Sequence, residues 1–138
     1  MSYFYLQVRK DHLTLKSLDT QKIATGTAAF STQRLLIGQF FIAEFCLYNL
    51  VPQVFPGFIN QLKRRHLRSD LVVHAMEMLE GGVSQVEQRI LEEFVVVSFG
   101  KAYSTVYADP QGLSDESVRR IIQMKTREVV TAADLKLT

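Results

Sequence analysis

Several side chains in this sequence are of types that do chemistry, and their spacing decides what each could do. Carboxylates at Asp11, Asp70 and Asp109 fall where strands are expected to end, which is where a two-metal hydrolytic site would gather its acids. The first strand, however, offers Gln7 in place of an acid, and the run from Leu71 to His74 contains no acid, so turn and cap roles account for each of the three. His12, His66 and His74 have no Cys partners and no H-x-x-x-H spacing, which argues against zinc. His74 closes an apolar run and reads as a buried, hydrogen-bonded histidine. Cys46 is the single cysteine, set among Phe45 and Leu47, and reads as a buried, inert thiol. None of the G-x-S-x-G, G-x-x-x-x-G-K or G-x-G-x-x-G patterns occurs. These residues predict no enzyme and no metal or other cofactor.

Charge gives the same answer. A net charge of +2 is too small to mark a polyanion binder. The one dense basic run, Lys63, Arg64, Arg65, His66 and Arg68, could touch phosphate or anionic lipid. Without interleaved aromatics or a glycine framework it reads as a solvated loop, and no nucleic-acid partner is expected. The most apolar stretch, Leu35 to Val54, carries Gln39, Glu44, Asn49 and Pro52, so no membrane span is expected. The N-terminus lacks the charged and apolar regions of a signal peptide, and a lone cysteine suits a reducing compartment; both point to the cytoplasm.

The elements that would position these residues belong to one domain over 1–138. A chain of 138 residues with 47% hydrophobic and 22% charged residues has globular composition, and at this size about 68% of the unfolded surface is buried. Phe4, Leu6 and Val8 alternate with Tyr5, Gln7 and Arg9 before a polar turn at Lys10-Asp11-His12, and Leu13 and Leu15 resume the alternation. After a turn at Asp19-Thr20-Gln21, Ile23 to Phe30 forms a weaker third strand containing Gly26. Leu36, Phe40, Ala43, Leu47, Leu50 and Val54 recur at helical spacing until Pro52 and Pro56-Gly57 bend or end the helix. Leu71 to Val73 has the composition of a buried parallel strand.

Beyond a Gly81-Gly82 turn, Ser84 and Glu87 have capping-box spacing ahead of Val86, Ile90, Phe94 and Val97, a helix that Gly100 would stop. Tyr103 to Ala108 is a further strand, closed by Asp109-Pro110-Gln111-Gly112. Ser114 can cap a last helix carrying Val118, Ile121, Ile122, Lys125 and Val129 along one side, with fraying from Thr131. The resulting order β-β-β-α-β-α-β-α requires a mixed five-stranded α/β sheet.

That order is the one found in the ribonuclease H-like fold, which underlies actin and sugar kinases. Leu36-Ile37-Gly38-Gln39-Phe40-Phe41-Ile42-Ala43-Glu44, continuing to Val51 and Val54, resembles the first helix region of MreB, the rod-shape-determining bacterial actin. Gly82-Val83-Ser84-Gln85-Val86-Glu87-Gln88-Arg89 resembles a second MreB helix, and Gly100 to Pro110 is similar to the strand after it. The likeness spans about Leu35 to Pro110, with a looser match through the first strands, and implies only the first subdomain of such an actin, domain IA.

The resemblance also implies what is missing. MreB places ATP between two halves, using an Asp-x-Gly-Thr turn after its first strand. Here Gln7-Val8-Arg9-Lys10 stands at that turn, with an amide for the carboxylate and a long side chain for glycine, so metal handle and close phosphate approach are both lost. Glu87 falls on the position that helps place attacking water in MreB, while the same residue serves as a helix cap with Ser84. The expectation is a non-catalytic actin-like domain that works by protein contact, as a homodimer or on an MreB-type cytoskeletal partner. The alternative is a nucleotide-binding fragment whose oligomer completes a phosphate site with Lys10 and Glu87.

Overall fold

In the computed structural model, which describes residues 2–55, 69–100 and 102–137, the alternation in the first segment becomes strand β1, Ser2–Arg9. Phe4, Leu6 and Val8 point to one side of the sheet and Tyr5 to the other. The chain reverses at Lys10 and Asp11, and Asp11 takes the left-handed conformation (φ 54°) that an aspartate tolerates better than most residues. Strand β2, His12–Ser17, then pairs antiparallel to β1, and β3, Ile23–Thr27, pairs antiparallel to β2. Helix α1, Phe40–Val54, crosses over and leads to β4, Ser69–Ala75, which pairs parallel to β1 and is buried along its whole length. Helices α2, Gln85–Glu93, and α3, Val96–Phe99, precede β5, Tyr103–Ala108, which is parallel to β4. Helix α4, Asp115–Met124, strand β6, Val130–Thr131, and helix α5, Ala132–Leu137, complete the described chain. The sheet order is β3-β2-β1-β4-β5-β6.

Two apolar layers hold the sheet. One joins Phe4, Leu6, Leu13, Leu15, Leu71 and Val73 to Leu47 and Val51 of α1 and to Leu91, Phe94 and Phe99. Phe4 stacks at 4.8 Å from Phe99 between ring centres, a tilted contact of the kind aromatic pairs prefer. The second joins Tyr5, Val72 and Tyr107 to Val118, Ile121 and Ile122 of α4. A fully buried aliphatic side chain contributes about 1.5–3 kcal/mol. The centre of the sheet, covered on both faces, is therefore its most stable part. The β2–β3 end is covered on the α1 face, where Leu13, Leu15 and Ala24 are buried, while His12, Thr14 and Lys16 remain half-buried on the other.

The structure corrects several expectations. The sheet has six strands instead of five, because the last helix stops at Met124 and β6 follows. Lys125 does not lie along that helix; it is the left-handed residue (φ 49°) that ends it, and the β-branched Val129 and Val130 lie beyond, where Val130 pairs with Tyr107. Residues Ala132–Leu137 form a turn of helix instead of fraying, with Thr131 and Asp134 bonded to each other. The third strand ends at Thr27, short of Phe30. Helix α1 begins at Phe40, so Leu36 and Ile37 are buried from a loop, and it runs two residues past Pro52. The helix expected from Val86 to Val97 is two helices, and Val86 is 69% exposed, so it is not on the buried face. Gly100, at φ 64°, ends the second of them. Pro56-Gly57 and the basic run at 63–68 lie outside the described residues.

Candidate functional site

At the carboxyl ends of β1, β4 and β5, where open α/β sheets commonly bind ligands, a polar cluster is built from side chains that alternate onto the α4 face. The registers set Gln7 beside His74 and His74 beside Tyr107. His74 is completely buried. Its Nε2 lies 2.7 Å from the Asp109 carbonyl oxygen and its Nδ1 lies 2.6 Å from the Tyr5 hydroxyl. A carbonyl only accepts, so the proton is on Nε2, and Nδ1 accepts from the Tyr5 O–H. The Tyr5 oxygen in turn accepts from Gln7 Nε2 at 3.1 Å and from the Leu113 amide at 3.0 Å.

This network is saturated. Burial pushes the His74 pKa down to about 4, against partial compensation from Asp109. Protonating Nδ1 would also aim a third N–H at a hydroxyl already serving two donors and deprive its own hydrogen of an acceptor. Burial likewise raises the Tyr5 pKa, and Gln7 and Leu113 only partly offset it. The turn at 109–112 closes over the cluster: a Cβ on Gly112 would stand 3.2 Å from Gln7 Nε2. Asp109 Oδ2 accepts from the Gln111 amide within that turn. Asp11 exchanges bonds with Ser31, accepting from its amide at 2.8 Å. Asp70 is at the opposite, amino-terminal end of β4. The three aspartates therefore do not converge, and among the described residues no group of three or more His, Cys, Asp or Glu side chains is placed to hold a metal.

Lys10 and Glu87 come to the same end of the sheet through a residue that sequence reasoning passed over. The Lys10 amide donates to Glu77 Oε1 at 2.9 Å, and Glu77 and Glu87 line one small cavity with Leu36, Ala75, Val83 and Leu91. Its volume is about 20 Å³, room for a water or two. Glu87 is also the capping residue: Ser84 Oγ accepts its amide at 3.2 Å while its Oε1 accepts the Ser84 amide at 3.2 Å. Ser114 caps α4 by accepting the Ser117 amide. Position alone could have flagged Glu77, since residues just past the carboxyl end of a parallel strand face the crevice. Tyr5 could have been found as the residue that shares a sheet face with His74.

The other distinctive surface is at the β3 edge. Among the described residues the large apolar side chains Phe41 and Phe45 are 80% and 69% exposed, and Ile42 is exposed beside them. With Asn49 and Gln53 they form the outer stripe of α1 and, with Thr25 to Ala28, border an open groove of about 670 Å³. Helix α1 is thus apolar on two sides, the one on the sheet and the one along the groove. Among the described residues no side chain lining the groove is charged. Cys46 is half-buried in its wall instead of sealed in the core, and burial still raises its thiol pKa. Sequence reading placed the helical stripe of Phe40 and Leu47 correctly on the sheet, but could not tell that Phe41 and Phe45 would face outward over an open strand.

Among the described residues no helix is long and apolar enough to cross a membrane. The chain is similar to a curated protein of Escherichia coli (strain K12), "Uncharacterized protein YjaA", with 41% identity over 127 residues, 91% of this chain and 100% of that protein. No family model matches the chain. No solved structure matches it.

Proposed function

The chain belongs to the family of the Escherichia coli protein YjaA, and on that premise we propose that it is a non-catalytic protein-contact domain with a ribonuclease H-like, actin-related sheet. The antiparallel β1–β2–β3 hairpins and the parallel β1, β4 and β5 in the order 3-2-1-4-5 support that fold reading. The observation that carries the functional reading is the contrast in what each surface leaves over. The strand ends, where an actin would hold nucleotide, are filled by Tyr5, His74, Gln7 and the turn at Gly112. The β3–α1 side leaves an uncharged apolar groove open. Apolar patches of that kind mark protein contacts.

A phosphate site built from Lys10 and Glu87 is the weaker reading. Glu77 and Glu87 both line the small cavity there, and two acidic residues are the wrong sign for a triphosphate. Thermal denaturation with and without millimolar Mg-ATP separates the two. A ligand at about 100 times its dissociation constant stabilises a fold by about 2.7 kcal/mol; the contact reading expects an unmoved melting curve, and a clear upward shift would overturn it. For the contact reading itself, the chain should capture a partner from native cells in a manner lost on Phe45→Glu. A cytoplasmic MreB-type filament protein is the partner that the resemblance suggests, and its absence from the captured material would remove that assignment.

A further inference from the structure

We infer that the occupant of the β3–α1 groove is the same surface of a second copy, joined by antiparallel β3–β3 pairing into one continuous sheet; this rests on the contact reading above and names its partner. The ladder shows which backbone groups are available. At the two ends of the β2–β3 ladder the Ser17 amide donates to the Lys22 carbonyl and the Ala28 amide donates to the Asp11 carbonyl. Between them Leu15 faces Ala24 and Leu13 faces Gly26. In an antiparallel pair, bonded positions alternate, so residues 22, 24, 26 and 28 turn their backbone groups to β2. Ile23, Thr25 and Thr27 therefore turn theirs to the outer edge, which among the described residues pairs with no other strand. Such an edge is a template for another strand.

Three features select a second copy as that strand. First, β3 has none of the devices that block edge pairing: the segment Ile-Ala-Thr-Gly-Thr has no charge and no proline. The opposite edge, β6, is only two residues long and so offers little to pair with. Second, the described residues lining the groove are uncharged, so a two-fold axis brings no like charges among them together. Third, the spacing fits. Helix α1 packs over β2 and β3. Pairing about a two-fold axis through Thr25 keeps both α1 helices on the same face of the joined sheet. With strands about 4.8 Å apart the helix axes come to lie about 10 Å from each other, within the range at which helices pack.

Phe41 and Phe45 of each copy then fill the space between the two helices. At their observed exposures these two rings alone offer about 300 Å² per copy, toward the roughly 800 Å² per partner of a standard interface. On the other face Ile23, 60% exposed, lies opposite Thr27 of the mate. An isologous contact of this kind closes on itself as a dimer and does not propagate.

The test is sedimentation equilibrium on the full chain and two variants over a wide dilution series. Thr25→Pro removes an outward-facing amide while leaving the β3–β2 ladder intact, and Phe45→Glu places a like charge from each copy near the axis. The native chain is expected at twice 15.7 kDa. Each variant should weaken association by roughly thirtyfold or more, the size of one interface hot spot, with an unchanged circular dichroism spectrum. A native chain that stays monomeric at its highest concentration overturns self-pairing, as does a dimer that both variants leave intact. Either result leaves the contact function to its own test with Mg-ATP and captured partners, so the two failures are told apart.

Discussion

The strand-end cluster and the β3–α1 groove are opposites in what they promise and what they leave unused. Tyr5, His74, Gln7 and Asp109 are the residue types from which active sites are made, yet both ring nitrogens of His74 and the Tyr5 hydroxyl are already matched by partners within the cluster. Phe41, Ile42 and Phe45 are the residue types from which cores are made, yet they remain exposed beside β3, whose outer side pairs with no strand among the described residues. Chemistry needs polar groups with unspent capacity, and association needs apolar area with unspent burial. By that measure the groove has unspent apolar area, and the His74–Tyr5 cluster has little unspent polar capacity.

The largest effect is expected at His74. Truncation to Ala removes a buried ring and leaves the Tyr5 O–H without its acceptor. The fold should lose about 3–5 kcal/mol in urea denaturation. A His74→Ala chain of native stability would mean that the cluster is not structural.

Acid tests the same network without mutation. A histidine held neutral in the folded state resists a proton that the unfolded chain accepts. Its contribution is therefore complete above the ordinary value near 6.5 and is lost as pH falls toward about 4. The full loss corresponds to about 3 kcal/mol. Denaturation midpoints measured from pH 7 to 4 should fall accordingly, and His74→Leu should flatten that slope.

Gly112→Ala gives a smaller effect. The added methyl crowds Gln7 Nε2 at 3.2 Å and should cost about 1 kcal/mol, relieved in the double variant with Gln7→Ala. Relief in the double variant would sharpen the claim that the turn at 109–112 seals the cluster. An unchanged cost would place the strain elsewhere.

The smallest effect concerns the Lys16–Asp115 pair, at 2.7 Å, which ties strand β2 to the start of α4. The Lys16 and Gln21 hydrogen bonds hold the Asp115 carboxyl below its usual range. Its stabilisation is thus present above the ordinary carboxylate pKa and fades as pH falls through the lowered one. Both side chains are partly exposed, so Asp115→Asn should cost no more than about 1 kcal/mol in thermal denaturation at pH 7.

Much of this fold is legible in the residues themselves. Alternation in Phe4, Leu6 and Val8, the all-apolar Leu71 to Val73, and the Ser84–Glu87 and Ser114 caps each follow from local rules, and the elements appear where those rules put them. What local rules miss is set by distant contacts. Lys125 breaks a helix whose periodicity would carry it to Val129, because Val130 gains a partner in Tyr107 of β5. Val86 has helical spacing with Ile90 yet faces outward, since the helix turns Leu91 to the core. The cluster itself depends on Tyr5 and His74, sixty-nine positions apart, being brought to one face by a parallel register that no local pattern encodes.

If β3 pairs with a second copy, its outward-facing amides gain partners only on association. Amide hydrogen exchange across a concentration series tests it residue by residue. The amides of Ala24 and Gly26, bonded to β2, should be protected at every concentration, and those of Ile23, Thr25 and Thr27 should exchange rapidly when dilute and become protected as the chain is concentrated. Fast exchange at Thr25 that does not change with concentration, alongside steady protection at Ala24, would contradict the account.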